Sequence, residues 1–415
     1  MNPKRPEARR FLFLFLLTLL SGLSIFALFA SPGDATHETT VDGDIRPWLF
    51  ESPIQSSQPL LPSSLPSCPL IRSRGDIVPS PVYENDHTIF FGPVWGYAPR
   101  IWRSRDDGAS WRVIYQAPFK DGQVNALAAV HSPGAAGLTL YVRYWHYRQE
   151  IYGLARSTDG GDTWDERTTC DWYCEGIYTT NQPEAIFAVR VEPYYPSHSG
   201  MGILRSDDGG LSWQEVWNES NAFVLFISPA FAEDALLYAV VDDGMIRSSD
   251  GGMSWQRPTD EPRPGAPLVY SPDFARDRTV FGGRGHILYK SEDGGLSWRA
   301  VLTLSGDEGI TDLEISPDFG EDGALFIGTP HSLLVSHDEG ANWSVVFSSQ
   351  DELIDLDVRR RAGHAASASD QNDSGARSRP LSLFVAMNKL GTRYYYAHSS
   401  DGGLTWQCLN PPPEQ

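Results

Sequence analysis

The chain has 415 residues, 41% of them hydrophobic, with 38 Gly, 30 Pro, 13 Trp and a formal net charge of −20. That apolar fraction suffices for a packed core, and the glycine, proline and aromatic content favours short strands and turns over long helices. The charge excludes nucleic acid as a partner, because phosphate contacts need a Lys/Arg surface, and it disfavours an anionic membrane surface. The excess acid reads as a device for solubility.

At the N-terminus, Lys4, Arg5, Arg9 and Arg10 precede an unbroken, largely apolar run over residues 11–30. A basic flank before such a run directs export. The run is long for a signal-peptide core and long enough to span a bilayer. Residues 1–35 therefore read either as a cleaved signal peptide or as a retained membrane anchor, and contact with a membrane is expected through this segment alone. The product is extracellular, periplasmic or anchored at the cell surface. Residues 36–67 form a Ser/Pro-rich linker, residues 68–410 the folded domain, and residues 411–415 a short tail.

Within the domain one octet recurs seven times, Ser-x-Asp-x-Gly-x-[Ser/Thr]-Trp. Its aspartates are Asp106, Asp159, Asp208, Asp250, Asp293, Asp338 and Asp401, and its closing tryptophans are Trp111, Trp164, Trp213, Trp255, Trp298, Trp343 and Trp406. The sixth copy departs, with Asn342 where the others carry Ser or Thr. A weaker motif keeps the same beat: Ser80-Pro-Val-Tyr, Ser228-Pro-Ala-Phe, Ser271-Pro-Asp-Phe and Ser316-Pro-Asp-Phe each precede a short apolar run. Each unit thus reads as four short strands, with the octet turning between the third and the fourth. Units of this size cannot bury both faces alone and must stack on neighbours, and their period is that of propeller blades.

The octet resembles the Asp-box, or bacterial neuraminidase repeat, found in sialidases, xyloglucanases, sortilin-type receptors and photosystem II assembly factors. The resemblance covers about residues 70–410 and implies an all-β fold, a seven-bladed β-propeller of four-stranded antiparallel blades. In such a turn the aspartate accepts backbone N–H groups, the glycine supplies a positive φ, and the tryptophan packs on the blade. Seven acids on seven separate turns cannot converge on one substrate, so they read as structural. No metal site and no cofactor is expected.

Four cysteines accompany an exported chain, where disulfides persist. Cys170 and Cys174 bracket a small loop and are close enough in sequence to pair. Cys408 lies on the last outer strand and Cys68 just before the first inner strand, so a Cys68–Cys408 disulfide is expected to join last blade to first. Two free buried thiols are the alternative.

If the octets occupy one face, a ligand meets the other. The loops there are aromatic in the early blades (Trp95, Tyr97, Trp145, Tyr147, Tyr194, Tyr195) and acidic in the later ones (Asp243, Asp307, Glu308, Asp351, Glu352). Aromatic faces beside carboxylates suit a sugar, whose ring stacks while its hydroxyls donate to the acids. The resemblance to sialidases would imply an arginine triad, a Tyr–Glu pair and an acid/base Asp. The Arg-Ile-Pro that should precede the first octet is missing, with Arg100-Ile101-Trp102 in its place, and no triad can be assigned. Xyloglucanases of this repeat type use two propellers, and this chain has room for one. The sequence therefore reads as a non-catalytic, monomeric scaffold for a glycan or protein ligand. The alternatives are a glycoside hydrolase and an assembly factor for a membrane complex.

Overall fold

The computed structural model describes residues 64–71, 74–93, 100–118, 123–131, 137–146, 151–167, 173–191, 202–242, 244–257, 264–361, 381–389, 391, 393–410 and 412. The apolar run over 11–30 lies outside them. Among the described residues no helix is long and apolar enough to cross a membrane.

Seven antiparallel sheets follow one another along the chain. Blade 1 comprises β1 (Gly75–Pro79), β2 (Ile89–Pro93), β3 (Arg100–Ser104) and β4 (Arg112–Gln116). Blade 2 comprises β5 (Gln123–His131), β6 (Leu138–His146), β7 (Ile151–Ser157) and β8 (Asp165–Glu166). Blade 3 is β9 (Tyr173–Thr179), β10 (Ile186–Val191), β11 (Gly202–Ser206) and β12 (Gln214–Trp217). Blade 4 is β13 (Ala222–Ile227), β14 (Leu237–Val241) and β15 (Gly244–Ser248). Its fourth strand shrinks to one bridge among the described residues, Arg247 to Gln256.

Blade 5 follows as β16 (Leu268–Tyr270), β17 (Val280–Arg284), β18 (Ile287–Ser291) and β19 (Arg299–Thr303). Blade 6 is β20 (Asp312–Ile315), β21 (Leu325–Thr329), β22 (Ser332–Ser336) and β23 (Ser344–Ser348). Blade 7 is β24 (Glu352–Arg360), β25 (Leu381–Lys389), β26 (Arg393–Ser399) and β27 (Gln407–Leu409). The first strands line the axis and touch in turn: β1 meets β5, β5 meets β9, β9 meets β13, β16 meets β20, β20 meets β24, and β24 returns to β1.

Every octet lies between the third and fourth strands of its unit. In the third copy the Ser206 hydroxyl donates to Asp208 Oδ1 at 2.8 Å and accepts from Gly210 N at 2.8 Å. The Ser212 N–H bonds Asp208 Oδ1 at 2.9 Å and the Ser212 hydroxyl bonds Oδ2 at 2.6 Å. The other copies repeat this pattern, and the departure in the sixth is explained by it: Asn342 Nδ2 donates to Asp338 Oδ2 at 2.6 Å, replacing the usual hydroxyl. The Ser212 bonds, reinforced by Ser206, hold the Asp208 carboxyl at about 2. A depressed folded pKa contributes stability above the ordinary carboxylate range that is lost as pH falls through the folded value. Acid unfolding followed by circular dichroism is accordingly expected to set in between about pH 4 and 2, and Asp208→Asn should blunt that limb.

The octet also clasps the neighbouring blade. The glycine at its fifth position has φ between 80° and 96° in all seven copies, and an added Cβ would strike the preceding blade in most of them, for example Leu154 at 2.4 Å from Gly210. The residue before the octet is a cation in five copies. Arg103 donates to Gly160 O at 2.6 Å, Arg156 pairs with Glu184 at 3.0 Å, Arg205 donates to Gly251 O at 2.6 Å, and Lys290 reaches Glu339 at 2.8 Å. Arg247 acts through Tyr238, whose hydroxyl donates to Gly294 O at 2.5 Å. Each reaches the next blade.

The Ser-Pro motif forms four short helices, α1 (Tyr83–Asp86), α2 (Phe231–Asp234), α3 (Phe274–Asp277) and α4 (Phe319–Asp322). Their leading aromatics are buried, and three make edge contacts with the preceding blade: Tyr83 on Phe384, Phe231 on Phe187, and Phe319 on Phe281.

Blades 7 and 1 are joined without a connecting peptide. Cys68 and Cys408 form the expected disulfide, with Cα atoms 5.3 Å apart. Ile71 pairs with Tyr394 beside it. Inside the ring, the Tyr396 hydroxyl donates to Gly75 O at 2.8 Å and accepts from Gly75 N at 2.9 Å. Trp111 Nε1 donates to Asn410 O at 2.7 Å, and an apolar cluster of Ile77, Tyr83, Phe91, Phe384, Tyr396 and Leu409 fills the seam. Cys170 lies outside the described residues, so the second expected disulfide does too.

Candidate functional site

Because the loops between the first and second strands of each blade share one face with the octets, the loops between second and third strands and the inter-blade loops share the other. Of the expected ligand-face residues, Trp95, Tyr97, Tyr147, Tyr194, Tyr195 and Asp243 lie outside the described residues. Trp145, at the end of β6, is half-buried and already stacks on Tyr152, with ring centroids 6.0 Å apart and planes 5° from parallel.

Of the acids of the later blades, Glu308 and Asp351 are linked through His331. Asp307 is exposed in the loop from β19 to β20. Beside it, Glu308 Oε2 accepts the Thr329 hydroxyl at 2.9 Å, and Oε1 stands 3.9 Å from His331 Nε2. The His286 Nδ1 lies 3.0 Å from the Glu308 carbonyl, so blades 5 and 6 both fix this residue. In the next inter-blade loop Asp351 Oδ2 accepts the Tyr395 hydroxyl at 3.0 Å, and at the start of β24 Glu352 Oε2 accepts Asn388 Nδ2 at 2.9 Å. His331 Nδ1 lies 3.5 Å from the Asp351 carbonyl. The imidazole of His331 thus sits between Glu308 and Asp351. The two carboxylates Asp351 and Glu352 are each held through one oxygen, and among the described residues the other oxygen has no hydrogen-bond partner.

Sequence reasoning passed over a second acidic group. Asp312 and Glu314 on β20, Asp355 and Asp357 on β24, and Asp76 on β1 stand on the axis-lining strands of three adjacent blades. Their signal was present as acids alternating with apolar residues, Asp312-Leu-Glu-Ile and Asp355-Leu-Asp-Val. Burial raises the Asp312 carboxyl to about 7, against hydrogen bonds from the Leu313 and Leu356 N–H groups. Burial likewise raises Asp357 to about 6, against the Arg359 guanidinium. Glu314 and Asp355 stand well above the carboxylate range, from burial first and neighbouring acids second. Asp76 is raised by burial against Arg74, although its surface still reaches solvent in the lumen. Among the described residues, no three His, Cys, Asp or Glu side chains are arranged to hold a metal ion.

Solved structures share this architecture. An ancestral GH74 enzyme superposes with a TM-score of 0.55 at 17% identity, over 84% of this chain and 48% of that one. The GH74 enzyme of Niastella koreensis gives a TM-score of 0.49 at 12% identity, over 81% of this chain and 66% of that one. The extracellular domain of a B. thetaiotaomicron protein gives 0.46 at 11%, over 79% and 38%. At these identities the likeness shows the fold alone, and the chain spans about half the length of the ancestral enzyme. No protein-family model matches the chain, and no curated protein matches it.

Proposed function

We propose that the chain is an exported, non-catalytic propeller that binds a glycan on the face opposite the octets, at blades 5–7. The observation that carries this reading is the pair Asp351 and Glu352, each oriented by a hydrogen bond to one oxygen from Tyr395 or Asn388. A carboxylate so fixed presents its second oxygen as a preorganised acceptor, which suits a sugar hydroxyl at little entropic cost. Export is supported by the basic flank and apolar run of residues 4–30 and by the Cys68–Cys408 disulfide.

A glycoside hydrolase is the second reading. It is favoured by Asp312, held near 7 beside other carboxylates in the lumen, since a carboxylic acid protonated near neutrality is a proton donor. A glycan array on the intact domain, run beside a panel of chromogenic glycosides, separates the two. The expected result is binding without turnover, weakened about tenfold by Asp351→Asn or Glu352→Gln. Turnover that vanishes in Asp351→Asn or Asp312→Asn would establish the hydrolase instead. Absence of both binding and turnover would remove glycans from consideration and leave a protein ligand.

A further inference from the structure

The axis of this ring is chemically lopsided. Among the described side chains of β5, β9, β13 and β16 there is no carboxylate, the residues being Val, Ala, Leu, Ile, Gly, Phe, Tyr, Thr and one terminal His, while the side chain of Glu175 on β9 lies outside the described ones. Five described acids, Asp76, Asp312, Glu314, Asp355 and Asp357, stand along β1, β20 and β24, apart from Glu352 at the mouth of β24. They act on one another across blade boundaries: Asp355 is raised by Asp76 and by Asp312, and Glu314 by Asp357 and Asp312. Asp312 Oδ2 also accepts the Leu356 N–H at 2.9 Å, a direct bond from blade 6 to blade 7. This sector contains the join that no peptide makes, between blades 7 and 1.

The counter-charge is small. Arg74, just before β1, lowers Asp76 and Asp355, and Arg359 lowers Asp357 and Glu314. Tyr396 from β26 faces Asp76 and Asp355 but is committed to Gly75. Arg360, at the end of β24, is taken by Asp318 at 2.8 Å and faces Glu84 of α1 at 3.7 Å. Of the other packed elements, β2 and β21 carry no titratable side chain, β16 brings Tyr270, β5 ends on His131, α1 carries Tyr83 and Asp86 besides Glu84, and Lys389 of β25 stands at its exposed end. Five carboxylates against two guanidinium groups leave a net charge of −3 when all are ionised.

We propose that these five carboxylates form a proton-operated seam, which draws blades 6, 7 and 1 together when they share protons and loosens the ring closure when all are ionised. Like charges in a partly desolvated lumen repel far more than on the surface. The sign follows from the raised pKa values. A carboxyl whose folded pKa exceeds its unfolded one contributes stability that is full below the unfolded value, near 4, and is lost as pH rises through the folded value. For Asp357 and Asp312 those folded values are about 6 and about 7. The seam is therefore tight in mild acid and loose above neutrality, while the octet acids fail only at lower pH.

Calorimetry on the intact, disulfide-bonded domain from pH 4.5 to 8.5 tests this. The midpoint is expected to be roughly 5 °C higher at pH 5 than at pH 8. Asp355→Asn and, separately, Asp312→Asn should raise the midpoint at pH 8 and flatten the profile, whereas Glu233→Gln on the exposed surface of α2 should leave the slope intact. Amide exchange, corrected for its intrinsic pH dependence, should show protection of β1 and β24 falling with pH while that of β13 holds. A flat or rising midpoint, a slope unchanged in both Asn variants, or a slope flattened equally by Glu233→Gln would overturn the proposal. If one Asn variant does not fold, the other together with wild-type exchange decides.

Discussion

Replacing Cys68 and Cys408 by serine is expected to cost the domain about 5 kcal/mol. The two cysteines are 340 residues apart, so their bond closes nearly the whole propeller as one loop. On the chain-entropy account a longer loop loses more freedom when closed, and the increase is logarithmic. The bond also stands where blades 7 and 1 meet, so its removal leaves Tyr396, Trp111 and the seam cluster to hold the ring. A fall in melting midpoint of roughly 10 °C is expected for the Cys68→Ser/Cys408→Ser variant. A fall under about 2 °C would mean that the non-covalent seam closes the ring by itself.

The second large effect concerns one backbone position. Gly295, the second glycine of the fifth octet, has φ +80°, and a Cβ built on it would lie 2.0 Å from the Tyr238 hydroxyl oxygen. That hydroxyl is itself bonded to Gly294 O at 2.5 Å and to Arg247 at 3.1 Å, so it cannot retreat without breaking the link between blades 4 and 5. Gly295→Ala therefore combines a left-handed backbone, about 1–2 kcal/mol for a residue with a Cβ, with overpacking of about 1–3 kcal/mol. A loss of about 3 kcal/mol is expected in urea unfolding. Gly391→Ala is the control: its φ is +74°, but nothing lies within 4 Å of the added Cβ, so it should show the backbone cost alone. Equal losses in the two variants would refute the close approach of octet to preceding blade.

These two sites show what the sequence made legible. Seven octets at near-regular spacing specify blade number and strand order, because the Ser–Asp–Ser network is local and closes within eight residues. The Cys68–Cys408 pair was legible for a related reason: a ring built from a linear chain has one join without a peptide, and the cysteines flank it. Contacts between blades were less so. The cations at Arg103, Arg156, Arg205 and Lys290 stand in plain view before their octets, yet their partners lie in the following unit, and finding them requires the packing of one blade on the next. His398 holds that place in blade 7. It stacks on Phe384 of its own blade at 4.5 Å and meets Tyr83 of blade 1 edge-on at 6.3 Å, and burial lowers its pKa to about 4, so the last blade makes its contact with an uncharged ring.

The acids divide in the same way. Asp351 and Glu352 were expected on a ligand face; in the structure these adjacent residues are held by different strands, Asp351 by β26 and Glu352 by β25. The axial group of Asp76, Asp312, Glu314, Asp355 and Asp357 was missed. Alternation with apolar neighbours marks such acids as facing away from the sheet core. It does not say that the open side is an enclosed lumen shared by three blades, where desolvation and mutual repulsion change their chemistry.

The central claim is that the octets build the ring and the opposite face meets the ligand. Hydrogen–deuterium exchange of the domain, alone and saturated with a glycan hit from the array, tests it most directly. The account predicts new protection in residues 305–310, 349–353 and 386–389, with the seven octets unchanged. Protection centred on the octets, with those three segments unaffected, would contradict it.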